Sequence, residues 1–176
     1  MLTLKQLISL GALTFAFVSP AEAAVQLTGV NIAGAEFGSL PGVHEQDYTY
    51  PRSSEVDYYV QQKGMNVLRL PFRWERLQPT LGGNFSNSEL TRIQNFVNYA
   101  TAAGAYVILD PHNYARYSGN VIGGGTVTAS HFADFWTRLA NIYKDNDKVI
   151  FGLMNEPNGL ATESWVNSAN TAISAI

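Results

Sequence analysis

An amide and a carboxylate follow an apolar run in the last thirty residues of the sequence. Residues 149–153 have the length and composition of a buried strand, and Asn155, Glu156 and Pro157 follow shortly after them. A charged group at the mouth of a buried strand costs free energy unless a partner or a reaction uses it. The segment is therefore predicted to be part of a functional site.

Three earlier apolar runs also end at polar side chains, which are Asn31, Arg69 and Asp110, the last with His112 close behind it. Each has an ordinary structural explanation when taken alone, because a buried arginine often pairs with a carboxylate and an aspartate before a proline can cap a turn. In a parallel α/β fold, however, the carboxyl ends of all strands lie on one face. The coincidence favours one functional rim that also includes Asn155 and Glu156.

The side chains of this rim suit one kind of chemistry better than others. No serine nucleophile elbow and no cysteine is present, which argues against acyl transfer. A carboxylic acid in an enclosed pocket can stay protonated and give its proton to a leaving oxygen, which is the role predicted for Glu156. Asn155 can bind a sugar hydroxyl, and Arg69 with His112 can position a second carboxylate. Together they form half of a glycosidase site.

Short apolar runs alternate with amphipathic segments after the first two dozen residues, which predicts an α/β fold with parallel strands. Glycines follow the first two helical segments where a helix end is expected. The predicted strands are 27–32, 67–70, 105–109 and 149–153, and the predicted helices are about 54–63, 87–103 and 129–144, with one more from near 162. The loops 33–52 and 111–128 are long enough to be functional.

Two architectures fit this alternation, a doubly wound open sheet and an eight-stranded barrel. No Gly-x-Gly-x-x-Gly motif follows the first strand, and the glycines 123–125 lack a following Lys-Ser or Lys-Thr, so phosphate binding has little support. The barrel is favoured. A complete barrel needs roughly 300 residues at this spacing, so the chain is predicted to be the first half, about four βα units, of a (β/α)8 TIM barrel.

Composition narrows the possible partners. The chain has 176 residues, a net charge of −3 and only 11 Lys plus Arg, so it carries no basic patch for nucleic acid. It has no cysteine, and its three histidines are far apart without the spacing of a zinc site. We expect no nucleic-acid partner, no metal and no cofactor.

The amino-terminal segment resembles a secretory signal peptide. Lys5 precedes an apolar stretch of about a dozen residues, and an Ala-x-Ala site ends at Ala23. The alternative, a membrane anchor, is less favoured because the stretch is too short for a comfortable span. Residues 1–23 are therefore predicted to be cleaved near Ala23, leaving 24–176 as part of a secreted protein without a membrane partner.

Four segments resemble glycoside hydrolase family 5, the cellulase family. Residues 149–158 with their Asn-Glu-Pro core are similar to the family's signature, and residues 29–38, 64–72 and 110–114 are similar to its first, second and third strand segments. The resemblance covers nearly all of the chain after the signal peptide, in order and at the family's spacing. It implies a retaining endo-β-1,4-glucanase acting on β-glucan chains.

The resemblance also implies roles for particular residues. Glu156 matches the family's general acid/base, Asn155 the asparagine on the sugar 2-hydroxyl, Arg69 the arginine that supports the nucleophile, and His112 the histidine of the same subsite. The expected substrate-binding residues are Asn31, Trp74, Asn113 and Tyr114. Trp74 is the preferred aromatic for stacking on sugar rings, with Tyr48, Tyr50, Tyr114 and Tyr117 as further candidates.

The family's nucleophile, a second glutamate at the end of the seventh strand, has no counterpart in this sequence. Because a retaining mechanism needs two carboxyl groups, the chain is predicted to be an inactive amino-terminal fragment, with the remainder of the barrel in the same full-length chain. Two alternatives stay open. One is a mannanase or another β-glycanase of the same family, and the other is a non-catalytic carbohydrate-binding or assembly half-barrel.

Overall fold

The computed structural model describes residues 25–176, so the predicted signal peptide lies outside the described part. The elements in chain order are β1 (Gly29–Asn31), α1 (Ser53–Asp57) with a π-helical turn (Tyr58–Gln62), β2 (Val67–Phe72), α2 (Trp74–Leu77), α3 (Asn87–Ala102), β3 (Tyr106–Pro111), β4 (Arg116–Tyr117), β5 (Asn120–Val121), α4 (Ala129–Tyr143), β6 (Val149–Phe151) and α5 (Thr162–Ala175). None of the helices within 25–176 is long and apolar enough to cross a membrane.

Four strands form one parallel sheet in the order β1-β2-β3-β6. Arg69 stands opposite Asn31 on one side and Ile108 on the other, so the carboxyl ends of the strands share one edge. The small hairpin of β4 and β5 is antiparallel and separate from this sheet. The predicted parallel α/β architecture is confirmed, and its polar strand ends do lie together.

The two faces of the sheet differ. Leu68, Leu70, Val107 and Leu109 are fully buried in the core. Between and before them, Val67, Arg69, Tyr106 and Ile108 are only partly buried. No element of residues 25–176 covers this second face.

Local signals explain where the long helices begin. The Ser86 hydroxyl accepts the Glu89 amide before α3, and the Thr128 hydroxyl accepts the His131 amide before α4. His131 Nδ1 accepts the Thr128 amide at 3.2 Å in return, which makes a reciprocal cap with a histidine in the usual place of Glu or Gln. Both helices lie close to their predicted bounds.

Two short elements were not predicted from the sequence, and one apolar helix stripe is buried except for its last residue. The β4–β5 hairpin lies inside the predicted loop 111–128, and no element was predicted at the position of helix α2, because neither is long enough to carry a periodic pattern. On α4 the apolar residues Phe132, Phe135, Trp136, Leu139 and Ile142 are spaced three and four positions apart, which predicts one core-facing stripe. The first four are buried, but Ile142 is exposed because it lies at the end of the helix.

Candidate active site

Arg69 is the centre of the rim. Its guanidinium donates to Asn31 Oδ1 from β1, to Asp110 Oδ2 from β3, and at 2.7 Å to Asn155 Oδ1 beyond β6. One planar side chain thus joins the ends of all four strands of the sheet, which suits the fixed fork of arginine donors. The predicted convergence of Asn31, Arg69, Asp110 and Asn155 is present.

Asp110 is a buried carboxyl group in an unusual electrostatic setting. Burial raises its pKa to about 6, the Arg69 guanidinium opposes this rise, and the charge of Glu36 adds to it. Gly152 lies beside it, since an added Cβ there would be 3.2 Å from Asp110 Oδ1. The rim therefore holds an acidic group whose charge changes near neutral pH.

This setting predicts a pH dependence of stability. The folded protein binds more protons at Asp110 than the unfolded chain between about pH 4 and about pH 6, because its pKa is raised from 3.8 to about 6. The stabilising contribution of Asp110 is complete below this window and is lost as the pH rises through about 6. The free energy of unfolding of D110N relative to wild type should therefore rise across the window and then level off, as measured by urea denaturation of the full-length protein. A pH-independent difference would contradict it.

His112 lies between charged groups at the rim. Burial lowers its pKa, the Arg69 guanidinium lowers it further, and the charges of Glu36 and Glu156 oppose the change. Its ring contacts Tyr114 edge to face, with ring centroids 5.1 Å apart. His112 is thus a neutral imidazole at pH 7, placed near Glu156 and beside an aromatic ring.

Glu36 belongs to the rim, although the sequence analysis did not place it there. It is buried, it accepts the Gly34 amide at 2.8 Å, and its charge acts on both Asp110 and His112. The one sequence feature that could have indicated this role is the presence of an acidic residue five positions after the end of β1. Its position depends on the path of a long loop, which a local pattern does not predict.

Buried ionic groups fix the path of that loop, residues 33–52. The Arg76 guanidinium donates to the carbonyls of Ala35, Ser39 and Pro41 at 2.8–3.1 Å and lies 3.9 Å from the centre of the Tyr48 ring. Buried Glu89 accepts the hydroxyl of Tyr48 at 2.6 Å and the hydroxyl of Tyr50 at 2.9 Å. Burial, with help from Glu89, raises the pKa of Tyr48 to about 12, so this hydroxyl stays a donor.

The carboxyl end of β6 presents Asn155 and Glu156 together. Asn155 is buried, its Oδ1 accepts from Arg69, and its Nδ2 has no hydrogen-bond partner among the described residues. Glu156 is exposed and has a left-handed backbone with φ 38°. The enclosed pocket expected around Glu156 is therefore not formed by residues 25–176, because the uncovered face of the sheet lies open there.

Trp74 and Asn113 are corrections to the predicted substrate-binding set. Trp74 is 0% exposed, and its indole donates to Gln78 Oε1 at 2.8 Å, because α2 turns the chain inward directly after β2. Asn113 is buried, accepts the Trp74 amide at 2.9 Å and donates to Glu75 Oε2 at 2.6 Å. Both side chains are buried and form hydrogen bonds inside the protein.

The other loop aromatics divide in the same way. Tyr48, Tyr50 and Tyr117 are buried, and Tyr117 donates its hydroxyl to the Gln78 carbonyl at 2.7 Å, so these three anchor loops and are wrong as stacking residues. Tyr114 is 37% exposed beside His112, and Asn31 is exposed at the end of β1. Of the predicted substrate-binding residues, these two keep an accessible surface at the rim.

No group of three or more His, Cys, Asp or Glu side chains comes together as a potential metal site in the part of the chain that the structure describes. The rim consists instead of amide, guanidinium, imidazole and carboxyl groups at the carboxyl edge of a parallel sheet. This is how the catalytic face of a β/α-barrel is built, on the ends of several different strands. The fold and the rim thus define a barrel-type enzyme site.

Comparison with known proteins gives the family. The profile of cellulase (glycosyl hydrolase family 5) matches residues 19–176, and the chain belongs to this family. It is 42% identical over 161 residues to a protein named manganese dependent endoglucanase Eg5A from Phanerodontia chrysosporium, covering 89% of this chain and 42% of that protein. It is 37% identical to endoglucanase 1 of Robillarda sp., covering 90% of this chain and 48% of the relative.

Solved structures agree in fold. An endo-β-1,4-glucanase of Xanthomonas axonopodis pv. citri superposes with a TM-score of 0.83 at 44% identity, over 86% of this chain and 48% of that one. XacCel5A, solved in complex with cellopentaose, gives a TM-score of 0.82 at 49% identity over 85% and 48% of the two chains. The chain spans about half the length of the relatives that it matches, and the predicted half of a (β/α)8 barrel is confirmed.

Proposed function

We propose that the full-length protein that contains this chain is a secreted, retaining endo-β-1,4-glucanase, and that residues 24–176 supply the acid/base half of its active site. The observation that carries the proposal is the side-chain amide of Asn155. Arg69 holds the Oδ1 of this amide directly before Glu156, and the buried Nδ2 has no hydrogen-bond partner within residues 25–176. A buried donor of this kind is costly unless a ligand accepts from it.

In the proposed mechanism Glu156 protonates the leaving glycosidic oxygen and later activates the water that releases the product. Asn155 Nδ2 donates to a hydroxyl of the sugar that reacts, while Arg69 fixes the amide in the orientation that this bond requires. Neutral His112 and exposed Tyr114 line the same subsite. The second carboxylate, which attacks the anomeric carbon, would come from the half of the barrel that the relatives have in addition.

The polymer is proposed from the relatives. Three of the four proteins compared above are named as endoglucanases, one of them specifically as an endo-β-1,4-glucanase, and the fourth, XacCel5A, was solved in complex with cellopentaose. Neither mannan nor binding without turnover has comparable support. The rim carries the acid, the amide and the arginine of a hydrolytic site, which a binding protein would not need in this arrangement.

The proposal is tested with the full-length protein and a panel of soluble polysaccharides. We expect internal cleavage of β-1,4-glucan with a rapid fall in viscosity, and a kcat/KM at least about tenfold lower on β-mannan and on β-1,3-glucan. A preference for mannan would change the proposed substrate. Tight binding of β-1,4-glucan without any cleavage would favour the non-catalytic alternative.

A further inference from the structure

The segment that follows Glu156 makes few hydrogen bonds within the described residues, and its last residue, Leu160, packs against the core. Glu156 has a left-handed backbone, a conformation that residues with side chains adopt only where the surroundings hold them in it. Asn158 Nδ2 donates to the Glu156 carbonyl at 3.0 Å. Within residues 25–176, the segment 156–160 is hydrogen-bonded to the rest of the chain through one side chain, Arg116.

Arg116 reaches this segment from the loop after β3. Its Nη1 donates to the Asn158 carbonyl at 3.0 Å, more weakly to Asn158 Oδ1 at 3.4 Å, and to the Tyr114 carbonyl at 2.7 Å. None of the ion pairs found within residues 25–176 includes Arg116. Its guanidinium therefore connects two loops of the rim, the one with Tyr114 and the one with Glu156.

The loop that follows Glu156 leaves room for the Arg116 guanidinium. Gly159 has φ +65°, and a Cβ added there would be 2.6 Å from Arg116 Nη2. Any side chain at this position would therefore push the guanidinium away and would also strain the backbone. The glycine leaves room for the close approach of the arginine.

Arg116 is itself mounted on a rigid support. It lies in β4 opposite Val121, and the next two residues are anchored to the region of α2. Tyr117 is buried with its hydroxyl on the Gln78 carbonyl, and the Ser118 amide donates to buried Glu75 at 2.7 Å. The same Glu75 accepts from Asn113, which explains why that side chain is used internally.

We infer that Arg116, acting through Asn158, is a positioning residue that holds Glu156 at the rim and keeps it at a fixed separation from Tyr114. The inference rests on the proposed function, since it assigns Arg116 a role only if Glu156 is the acid. The guanidinium hydrogen-bonds backbone and amide groups of the loop, not the Glu156 carboxyl group. Its removal should therefore misplace the acid without changing the chemistry of the acid.

This role predicts a dependence on the leaving group. Protonation matters most when the leaving group is a sugar alcohol and least when it is an acidic phenol. R116A in the full-length protein should lower kcat/KM on β-1,4-glucan by about 10- to 100-fold, because small misplacements of a catalytic group have effects of this size. On dinitrophenyl β-cellobioside, kcat/KM should fall by less than about threefold.

Two variants complete the test. N158A removes the hydrogen bond from the exposed Asn158 side chain to the Glu156 carbonyl, and it should lower kcat/KM with the same selectivity for β-1,4-glucan. R116A/N158A should lose no more activity than R116A alone, since both residues act through one contact. R138A is the matched control, because Arg138 also donates to loop carbonyls, those of Gly82 and Gly83, and contacts none of the rim side chains described above. It should retain wild-type kcat/KM on both substrates.

Equal losses on both substrates in R116A would overturn the inference, because a merely structural role reduces all activity alike. If R116A does not fold, N158A decides, and a wild-type ratio between the two substrates in N158A would overturn the inference as well. E156Q distinguishes a failure of the positioning role of Arg116 from a failure of the proposed role of Glu156 as the acid. If E156Q loses activity selectively on β-1,4-glucan while R116A and N158A do not, only the positioning role fails.

Discussion

E156Q is expected to lower kcat/KM on β-1,4-glucan by about 10²- to 10⁴-fold, which is the usual contribution of a positioned general acid. Glutamine keeps the size and polarity of the side chain but has no proton to give to a leaving oxygen. On dinitrophenyl β-cellobioside, kcat/KM should be nearly unchanged, because the phenol leaves without protonation. Affinity for cello-oligosaccharides, measured by calorimetry, should also stay within about threefold, since Asn155 and Tyr114 are untouched.

The control for this variant is E163Q. Glu163 is an exposed carboxylate in the first turn of α5, close to Glu156 in sequence but outside the rim. E163Q should keep wild-type kcat/KM on both substrates. Wild-type turnover of β-1,4-glucan by E156Q would remove Glu156 from the acid role, and a large loss in E163Q would show that the assay responds to changes outside the rim.

R69K is expected to have the second large effect. A lysine ammonium is compact and cannot contact Asn31, Asp110 and Asn155 as the guanidinium does, so the Asn155 amide loses its fixed orientation. We expect kcat/KM on β-1,4-glucan to fall by about 10²-fold or more, because the amide and the neighbouring acid are then misplaced. Unlike E156Q and R116A, R69K should also lose activity on dinitrophenyl β-cellobioside.

The same substitution should lower the free energy of unfolding by about 2 kcal/mol. This is less than the loss for a fully buried ion pair, because the Arg69 side chain is 28% exposed and Asp110 can take up a proton when its partner is weakened. R138K is the control, since Arg138 and Asp134 form an exposed pair on α4 whose loss should cost less than about 0.5 kcal/mol. Equal stabilities of R69K and wild type, together with wild-type kcat/KM, would contradict the central place of Arg69 in the rim.

The parts of the site that sequence predicted well are those fixed by the sheet. Arg69 lies within β2, Asp110 near the end of β3 and Asn155 shortly after β6, and parallel pairing brings such residues together whatever the intervening loops do. The apolar runs predicted where β2 and β3 lie along the chain, but not which of their residues face the core, because these runs show no strict alternation of apolar and polar residues.

The residues that sequence misplaced depend on the paths of loops. Trp74 follows a strand end and is aromatic, which are the features of a stacking residue, but the four-residue helix α2 turns it into the core. Glu36 was passed over although it lies in the rim, because its position requires loop carbonyls to gather around Arg76, a residue 40 positions further on. Such contacts over long sequence separation leave no periodic pattern.

Glu156 itself illustrates a third limit. Its place after β6 was predicted from the apolar run, but the enclosure expected around it depends on surface that the described residues do not supply. The hydrogen-bonded contact between Arg116 and Asn158 was likewise not predicted. It joins two loops through backbone carbonyls, and carbonyls are present at every residue, so no residue type marks them as partners.

The measurement that tests the central claim most directly is azide rescue of E156A in the full-length protein, with dinitrophenyl β-cellobioside as substrate. If Glu156 is the acid/base of a retaining enzyme, the glycosyl-enzyme of E156A forms readily but is hydrolysed slowly, because water lacks its general base. Azide attacks this intermediate without a general base and therefore raises kcat. The account predicts β-cellobiosyl azide as the product, identified by NMR. Absence of rescue, or an α-azide, would contradict the assignment of Glu156 as the acid/base of a retaining mechanism.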